Sequence, residues 1–211
     1  MPQPHVTVAV PTLSAGAVLE ECLASLAAQT WRSFEVIVID NSGCGRAQLV
    51  NLHGARVIAN RENVGFGTAI NQAAQASSGA YVATLNDDAI AEPEWLERLV
   101  EAAEREPRVG MIAAQVRLSP EGVLDSAGMR IASDGTSKQR GHGEPPSHFA
   151  EADEVLCPSG SSALYRRAML EQLGGFDDRF FLYCEDTDLG LRARRLGWTA
   201  KYLPGAVVHH R

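Results

Sequence analysis

Short apolar runs rich in β-branched residues alternate with helical spacing through the first half of the chain, and this alternation limits the fold more than any other feature. Residues 6–10 read as a buried strand ended by Pro11. Helical spacing follows at Val18, Leu19, Cys22, Leu23 and Leu26. Residues 34–39 (FEVIVI) form a second strand, apolar without interruption as a parallel strand covered on both faces must be. A third strand over 56–59 precedes a helix over 65–76, and a fourth strand lies over 80–85. The helix over 94–105 has Pro93 at its first turn and turns Trp95, Leu96, Leu99, Val100 and Ala103 inward. Repeated units of this size imply a parallel-centred α/β sheet.

The character changes after residue 108. Residues 109–118 and 123–131 read as strands joined by a turn at 119–122. Residues 133–153 are polar and rich in Gly, Pro and Ser, and a loop of that length in a compact domain carries function or stays disordered. Short strands are expected over 155–157 and 163–166, around the turn Ser159-Gly160-Ser161. A helix over 187–196 sets Leu189, Ala193 and Leu196 on one face and stops at Gly197. We therefore expect a single domain over 1–211, with halves at 1–108 and 109–211. The chain stops directly after an apolar strand, which suggests a piece of a longer protein or a minimal catalytic core.

With 26 acidic and 19 basic residues among 211, the net charge is −7, and the surplus is local. Residues 85–106 carry net −6 and residues 177–188 net −4, so the remainder is mildly basic. A nucleic-acid binder needs the opposite balance. The four cysteines are widely spaced without a C-x-x-C pair, which favours reduced thiols. No apolar run is long enough to span a membrane, and the N-terminus lacks the charged region and cleavage site of a signal peptide.

Several segments have the residue types of a ligand site. Asp40 ends the second strand, where a carboxylate can accept from a ligand hydroxyl or base N–H, although an Asp there equally caps a turn. Arg61, Asn63, Gly65, Gly67 and Asn71 surround a strand-to-helix junction whose backbone amides suit an anion. Asn86-Asp87-Asp88 stands at the next strand end, and paired carboxylates there are best reconciled by a hard divalent cation, Mg2+ or Mn2+. Glu185, Asp186 and Asp188 open a helix behind Phe180, Phe181 and Tyr183, which would wall a carboxylate in apolar surroundings and raise its pKa toward that of a base. His209 and His210, just before Arg211, read as metal ligands or plain surface residues.

Together these residues resemble the inverting glycosyltransferases of family 2, which have the GT-A fold. NVGFGTAIN, LNDDA and GGFDDRFFLYCEDTDLGLR look most like the bacterial rhamnosyltransferase branch. The likeness covers nearly the whole chain and is weakest over 133–153. It implies an α/β/α sandwich on a mostly parallel mixed sheet, with a small C-terminal β element on the acceptor side. It also implies a nucleotide-sugar site formed by Pro11, Thr12, Asp40, Arg61, Asn63, Gly65, Asn71, Asn86 and Asp87. Asp88 and His209 would hold the metal, Asn86 standing where the family's first Asp is usual. Asp186, beside Glu185, would be the catalytic base, with Ser159 and Gly160 on the acceptor side.

The implied donor is a UDP-, dTDP- or GDP-sugar and the implied acceptor a glycan or lipid-linked hydroxyl, in cell-surface polysaccharide synthesis. Such an enzyme is expected in the cytoplasm or at the inner face of a membrane, in contact with it peripherally. Two rival readings remain. One is an NAD-dependent oxidoreductase, against which Ile70 stands at the third glycine position of a dinucleotide fingerprint. The other is a sugar-nucleotide-binding module without activity.

Overall fold

In a computed structural model, which describes residues 5–14 and 16–211, the strand–helix alternation folds into one mixed sheet of ten strands. The first half supplies β1 (Val6–Thr12), α1 (Ala17–Ala27), β2 (Phe34–Asp40), β3 (Arg56–Ala59), α2 (Phe66–Gln75), β4 (Tyr81–Leu85), β5 (Ala89–Ala91) and α3 (Trp95–Arg105). The second half supplies β6 (Val109–Leu118), β7 (Leu124–Ser126), β8 (Met129–Ile131), β9 (Ser137–Gln139), β10 (Asp153–Val155), β11 (Ser162–Arg166), α4 (Arg167–Leu173), α5 (Glu185–Arg195) and β12 (Thr199–His210).

The main sheet runs β10-β12-β6-β11-β4-β1-β2-β3, with β5 beside β12 and β7 beside β6. β1, β2, β3 and β4 are parallel, and β11 is antiparallel to both β4 and β6. The chain runs outward from β1 through β2 to β3 and then returns to the other side of β1 as β4. The carboxyl ends of β1 and β4 therefore flank a topological switch point, where open α/β sheets bind ligands.

Apolar side chains cover both faces. Leu19, Leu23 and Leu26 of α1 join Leu96, Leu99 and Val100 of α3 on one side. Ala69 and Ile70 of α2, Met169 of α4, and Leu189 and Ala193 of α5 fill the other. This is the α/β/α sandwich.

Four expectations need correcting. Pro11 does not end β1, which continues to Thr12 with Pro11 in register with Ile39. β4 pairs with β1 only as far as Ala9, so the missing N–H of Pro11 costs no bond on that side. The strand expected over 123–131 is two strands: Gly128, at φ 94°, turns the chain away from β6 into a separate β8–β9 hairpin. The polar segment 133–153 thus contributes β9 and a 3-10 turn at Pro146–Phe149. α5 begins at Glu185, earlier than its apolar spacing suggests, and Leu196 leaves the helix as an exposed C-cap.

Candidate active site

Asp87 and Asp88 of the first negative patch follow the carboxyl end of β4, and Glu185 and Asp186 of the second line a cavity that Asn86 also borders. Leaving β1, Thr12 donates its hydroxyl to Asp87 Oδ2 at 2.5 Å. Burial and the adjacent Asp88 push the Asp87 carboxyl upward, and the Thr12 bond only partly offsets this. Asp40, at the end of β2, is fully buried. Its two oxygens accept the Ser42 and Ala47 amides at 2.9 and 2.8 Å. Burial pulls its pKa up, but these bonds and Arg46 outweigh it and keep the group acidic. Asp40 therefore shapes the loop after β2, the turn-capping alternative, and presents no open face to a ligand.

Arg61 and Asn63 are exposed on the loop into α2, and Asn63 Oδ1 accepts the Gly65 amide at 2.9 Å. Asn71 is not free to meet a nucleotide. Its Nδ2 donates to the Phe176 carbonyl at 2.8 Å and its Oδ1 accepts the Phe176 amide at 2.9 Å. Gly65 is likewise committed: φ is 84°, and the Phe181 carbonyl fills the place of a Cβ while accepting the Phe66 amide. Both residues brace the segment ahead of α5 against α2, and neither Asn71 nor Gly65 belongs among open ligand contacts.

Asp88 and His210 form the next cluster. His210 Nε2 lies 3.1 Å from Asp88 Oδ1 and 3.2 Å from Asn86 Nδ2. The bond to Asp125 and the nearby Asp88 carboxylate favour the protonated imidazole while no cation is bound, raising its pKa to about 9. His209 is the histidine that the family resemblance assigns to a metal, but its Nε2 faces Glu92 at 3.1 Å on the other side of β12. Neighbouring side chains on a strand point to opposite faces, so His209 cannot join Asp88 while His210 does. The imidazole beside Asp88 is that of His210.

A cavity of about 750 Å3 opens between this cluster and α5. Asn86, His210, Glu185, Asp186, Ser159 and Gly160 all line it. Asp186 Oδ1 accepts the Thr187 amide at 2.6 Å, and Thr187 meets Ser137 of β9 hydroxyl to hydroxyl at 2.6 Å. Burial raises the pKa of Asp186 against these bonds. Burial and the neighbouring Asp186 raise that of Glu185, whose buried Oε2 has no hydrogen-bond partner among the described residues. Tyr183 and Cys184, both at positive φ, lead into the helix and line the cavity mouth. The hairpin wall, with Asp125, Met129, Gln139 and His142, carries no short motif, and only the unusual length of the 133–153 segment marked it in the sequence.

A family model described as Glycosyl transferase family 2 matches residues 7–174. The chain belongs to that family. This glycosyltransferase is 33% identical over 228 residues to an N-acetylglucosaminyl-diphospho-decaprenol L-rhamnosyltransferase of Mycobacterium tuberculosis, spanning 95% of the chain and 74% of that relative. It is 31% identical to an O-antigen biosynthesis protein of Myxococcus xanthus, over 92% of the chain and 16% of that protein.

Among solved structures, GalNAc-T7 with UDP, GalNAc and Mn2+ superposes with a TM-score of 0.80 at 14% identity, covering 99% of this chain and 44% of that one. A mannosyltransferase of Pyrobaculum calidifontis with GDP-Man and Mn2+ superposes with a TM-score of 0.69 at 21% identity, over 99% of this chain and 57% of that one. The transferase thus spans about half the length of these structural neighbours, and the GT-A fold is shared. Family membership sets aside the oxidoreductase reading. Ile70, at the fingerprint's third position, is fully buried in the sandwich.

Proposed function

We propose that this glycosyltransferase inverts configuration as it moves a sugar from a nucleoside-diphosphate sugar to a hydroxyl of a glycan or lipid-linked acceptor, in cell-surface polysaccharide synthesis. The observation that carries the reading is one cavity lined by Asn86 and His210 of the strand-end cluster and by Asp186 of α5. A base that shares the cavity with the residues assigned to the diphosphate suits one in-line displacement. Asp186 takes the proton of the acceptor hydroxyl as its oxygen bonds to C1. The bond from C1 to the diphosphate oxygen breaks on the opposite face and its electron pair leaves with the diphosphate.

The donor set fits a divalent cation. Asp88 Oδ1 is buried without a well-aligned hydrogen bond, and His210 Nε2 adjoins it. No three His, Cys, Asp or Glu side chains converge as a closed cage among the described residues. Asp88 and His210 would therefore hold Mg2+ or Mn2+ in a shell completed by the donor's phosphates and water. Such an ion supplies neutralisation of the charge that develops on the departing diphosphate.

A lipid-linked acceptor is supported by the cavity rim. Leu182 and Tyr183 are exposed there, next to the exposed Phe181. Arg130 and Lys138 stand directly opposite each other on the β8–β9 hairpin and both line the cavity. Like charges facing across a strand pair repel, a conflict that an anionic group on the acceptor relieves. The Mycobacterium relative is named for a diphospho-decaprenol substrate of this kind. No helix among the described residues is long and apolar enough to cross a membrane, so contact with a lipid surface would be peripheral.

The test is a sugar-nucleotide screen with Mn2+, read as nucleoside diphosphate release and as the anomeric configuration of the product by NMR. Transfer with inversion, lost in Asp186→Asn while nucleotide affinity is retained, supports the reading. Near-normal turnover by Asp186→Asn, or a retained anomer, overturns it.

A further inference from the structure

The wall formed by β7 and the β8–β9 hairpin holds a buried carboxylate that the reaction outlined above does not use. Asp125 lies in the middle of β7, its side chain 8% exposed. Its Oδ2 accepts from Nδ1 of His210 at 3.0 Å. Its Oδ1 accepts from Nε2 of Gln139 at 3.0 Å and lies 3.3 Å from Nδ1 of His142. On the far side of the same ring, His210 Nε2 lies 3.1 Å from Asp88 Oδ1. One imidazole thus joins a carboxylate of the acceptor wall to a carboxylate at the strand end.

This arrangement has a directional consequence. Once a cation displaces the proton on Nε2, an imidazole whose Nδ1–H is held by a carboxylate keeps one tautomer and one orientation, with Nε2 as the ligating nitrogen. β12 pairs on both sides at His210, with Ala89 and Leu118, which fixes its backbone but not the rotation of its ring. Asp125 holds the ring, and Gln139 in turn holds Asp125 to β9.

We propose that Asp125 is a positioning residue, which aims the His210 ring at Asp88 and, through Gln139, ties that aim to the wall of the acceptor cavity. The inference rests on the reading of Asp88 and His210 as the metal-facing pair. A purely structural Asp125, serving only to satisfy Gln139 and His142 in the hairpin, would leave the state of the His210 ring indifferent to its charge.

The experiment uses the full chain without substrates. Long-range 1H–15N spectra of the histidine rings report which nitrogen of His210 carries a proton, and Mn2+ alone is titrated against the ring signals, which it broadens by proximity. In the wild type we expect a protonated Nδ1 and broadening of His210 before the other histidines. In Asp125→Asn, where Gln139 can turn its amide to keep a bond, we expect the same broadening to need about 10- to 100-fold more Mn2+. The His5 signal, at the opposite end of β1, should be unmoved.

Equal Mn2+ response in wild type and Asp125→Asn overturns the inference, as does an unprotonated Nδ1 in the wild type. Should Asp125→Asn not fold, Gln139→Ala takes its place, with an expected loss of about 2- to 10-fold, the equivalent of one hydrogen bond. An unchanged response there is equally fatal. A wild-type His210 that Mn2+ does not reach overturns the metal reading itself, and the Nδ1 proton then still decides whether Asp125 holds the ring.

Discussion

The Asn71 side chain spends both of its hydrogen-bonding ends on the backbone of Phe176, 105 residues further along the chain. That pair locks the start of the acidic segment 177–188 to α2. Asn71→Ala would leave the Phe176 amide and carbonyl without partners. We expect it to cost about 1–3 kcal/mol of stability in urea unfolding. Nucleotide affinity should be unchanged, because Asn71 faces the brace and not the ligand. A weakened nucleotide with intact stability would return Asn71 to the donor site.

Gly65 gives a second test of the same brace. A Cβ there would run into the Phe181 carbonyl at a backbone φ of 84°, whereas Gly122 has φ 73° and open space around it. Gly122→Ala therefore reports left-handed strain alone, on the order of 1–2 kcal/mol. Gly65→Ala should destabilise more than this and should also lower kcat, since Phe181 lies on the segment that leads into Asp186. Comparable thermal shifts and unchanged kcat in the two variants would show that the contact carries no weight.

How much of this was legible beforehand depends on whether a feature is local. The run FEVIVI, the amphipathic α3 and the acids at strand ends announce themselves, because burial on both faces, a 3.6-residue period and strand-end chemistry are written in adjacent residues. β5 was not legible, since three residues become a strand there only by pairing with β12. The choice between His209 and His210 was hidden for a similar reason. β12 carries a register irregularity between Leu203 and Val207, and its parity cannot be counted through that point from sequence. Asp125 lay inside a run that reads as one continuous strand, and Asn71 has no local sign of a partner 105 residues away.

Asp186 carries opposite consequences for activity and stability. Burial raises its pKa above the ordinary 3.8, so the acid limb of kcat/KM should fall at a higher pH than that of a solvated aspartate. Folding pays nothing for this group below its unfolded pKa, where both states are protonated. As pH rises, the unfolded chain ionises first and stability drains away until the folded pKa is passed. Asp186→Asn should therefore be more stable than the wild type at pH 7 and match it near pH 3. Thermal unfolding across that range checks the prediction, and a variant less stable at pH 7 refutes it.

The two terminal histidines should separate cleanly. His209 and Glu92 are both more than a third exposed, and such a pair contributes under about 1 kcal/mol. His209→Ala should leave Mn2+-dependent nucleotide binding as it is. His210→Ala removes the imidazole beside Asp88 and should weaken that binding severely in calorimetry, with metal-free nucleotide affinity little changed. The reverse pattern would restore His209 to the metal.

The cationic rim makes the last prediction, about the acceptor. Arg130 makes no ion pair with a carboxylate among the described residues, and Lys138 has only Asp134 at 3.9 Å. If their role is to meet an anionic group, Arg130→Ala and Lys138→Ala should raise KM for a phosphate-bearing acceptor while leaving KM for the donor and kcat nearly constant, the signature of lost uniform binding. Added salt should imitate the substitutions in the wild type and have little further effect in the double variant, because screening acts on a charge contact that is already gone. The double variant should also relieve the cross-strand repulsion and leave the hairpin no less stable. An acceptor KM indifferent to both substitutions and to salt would mean that the pair faces solvent and that acceptor affinity comes from the apolar lip at Leu182 and Tyr183.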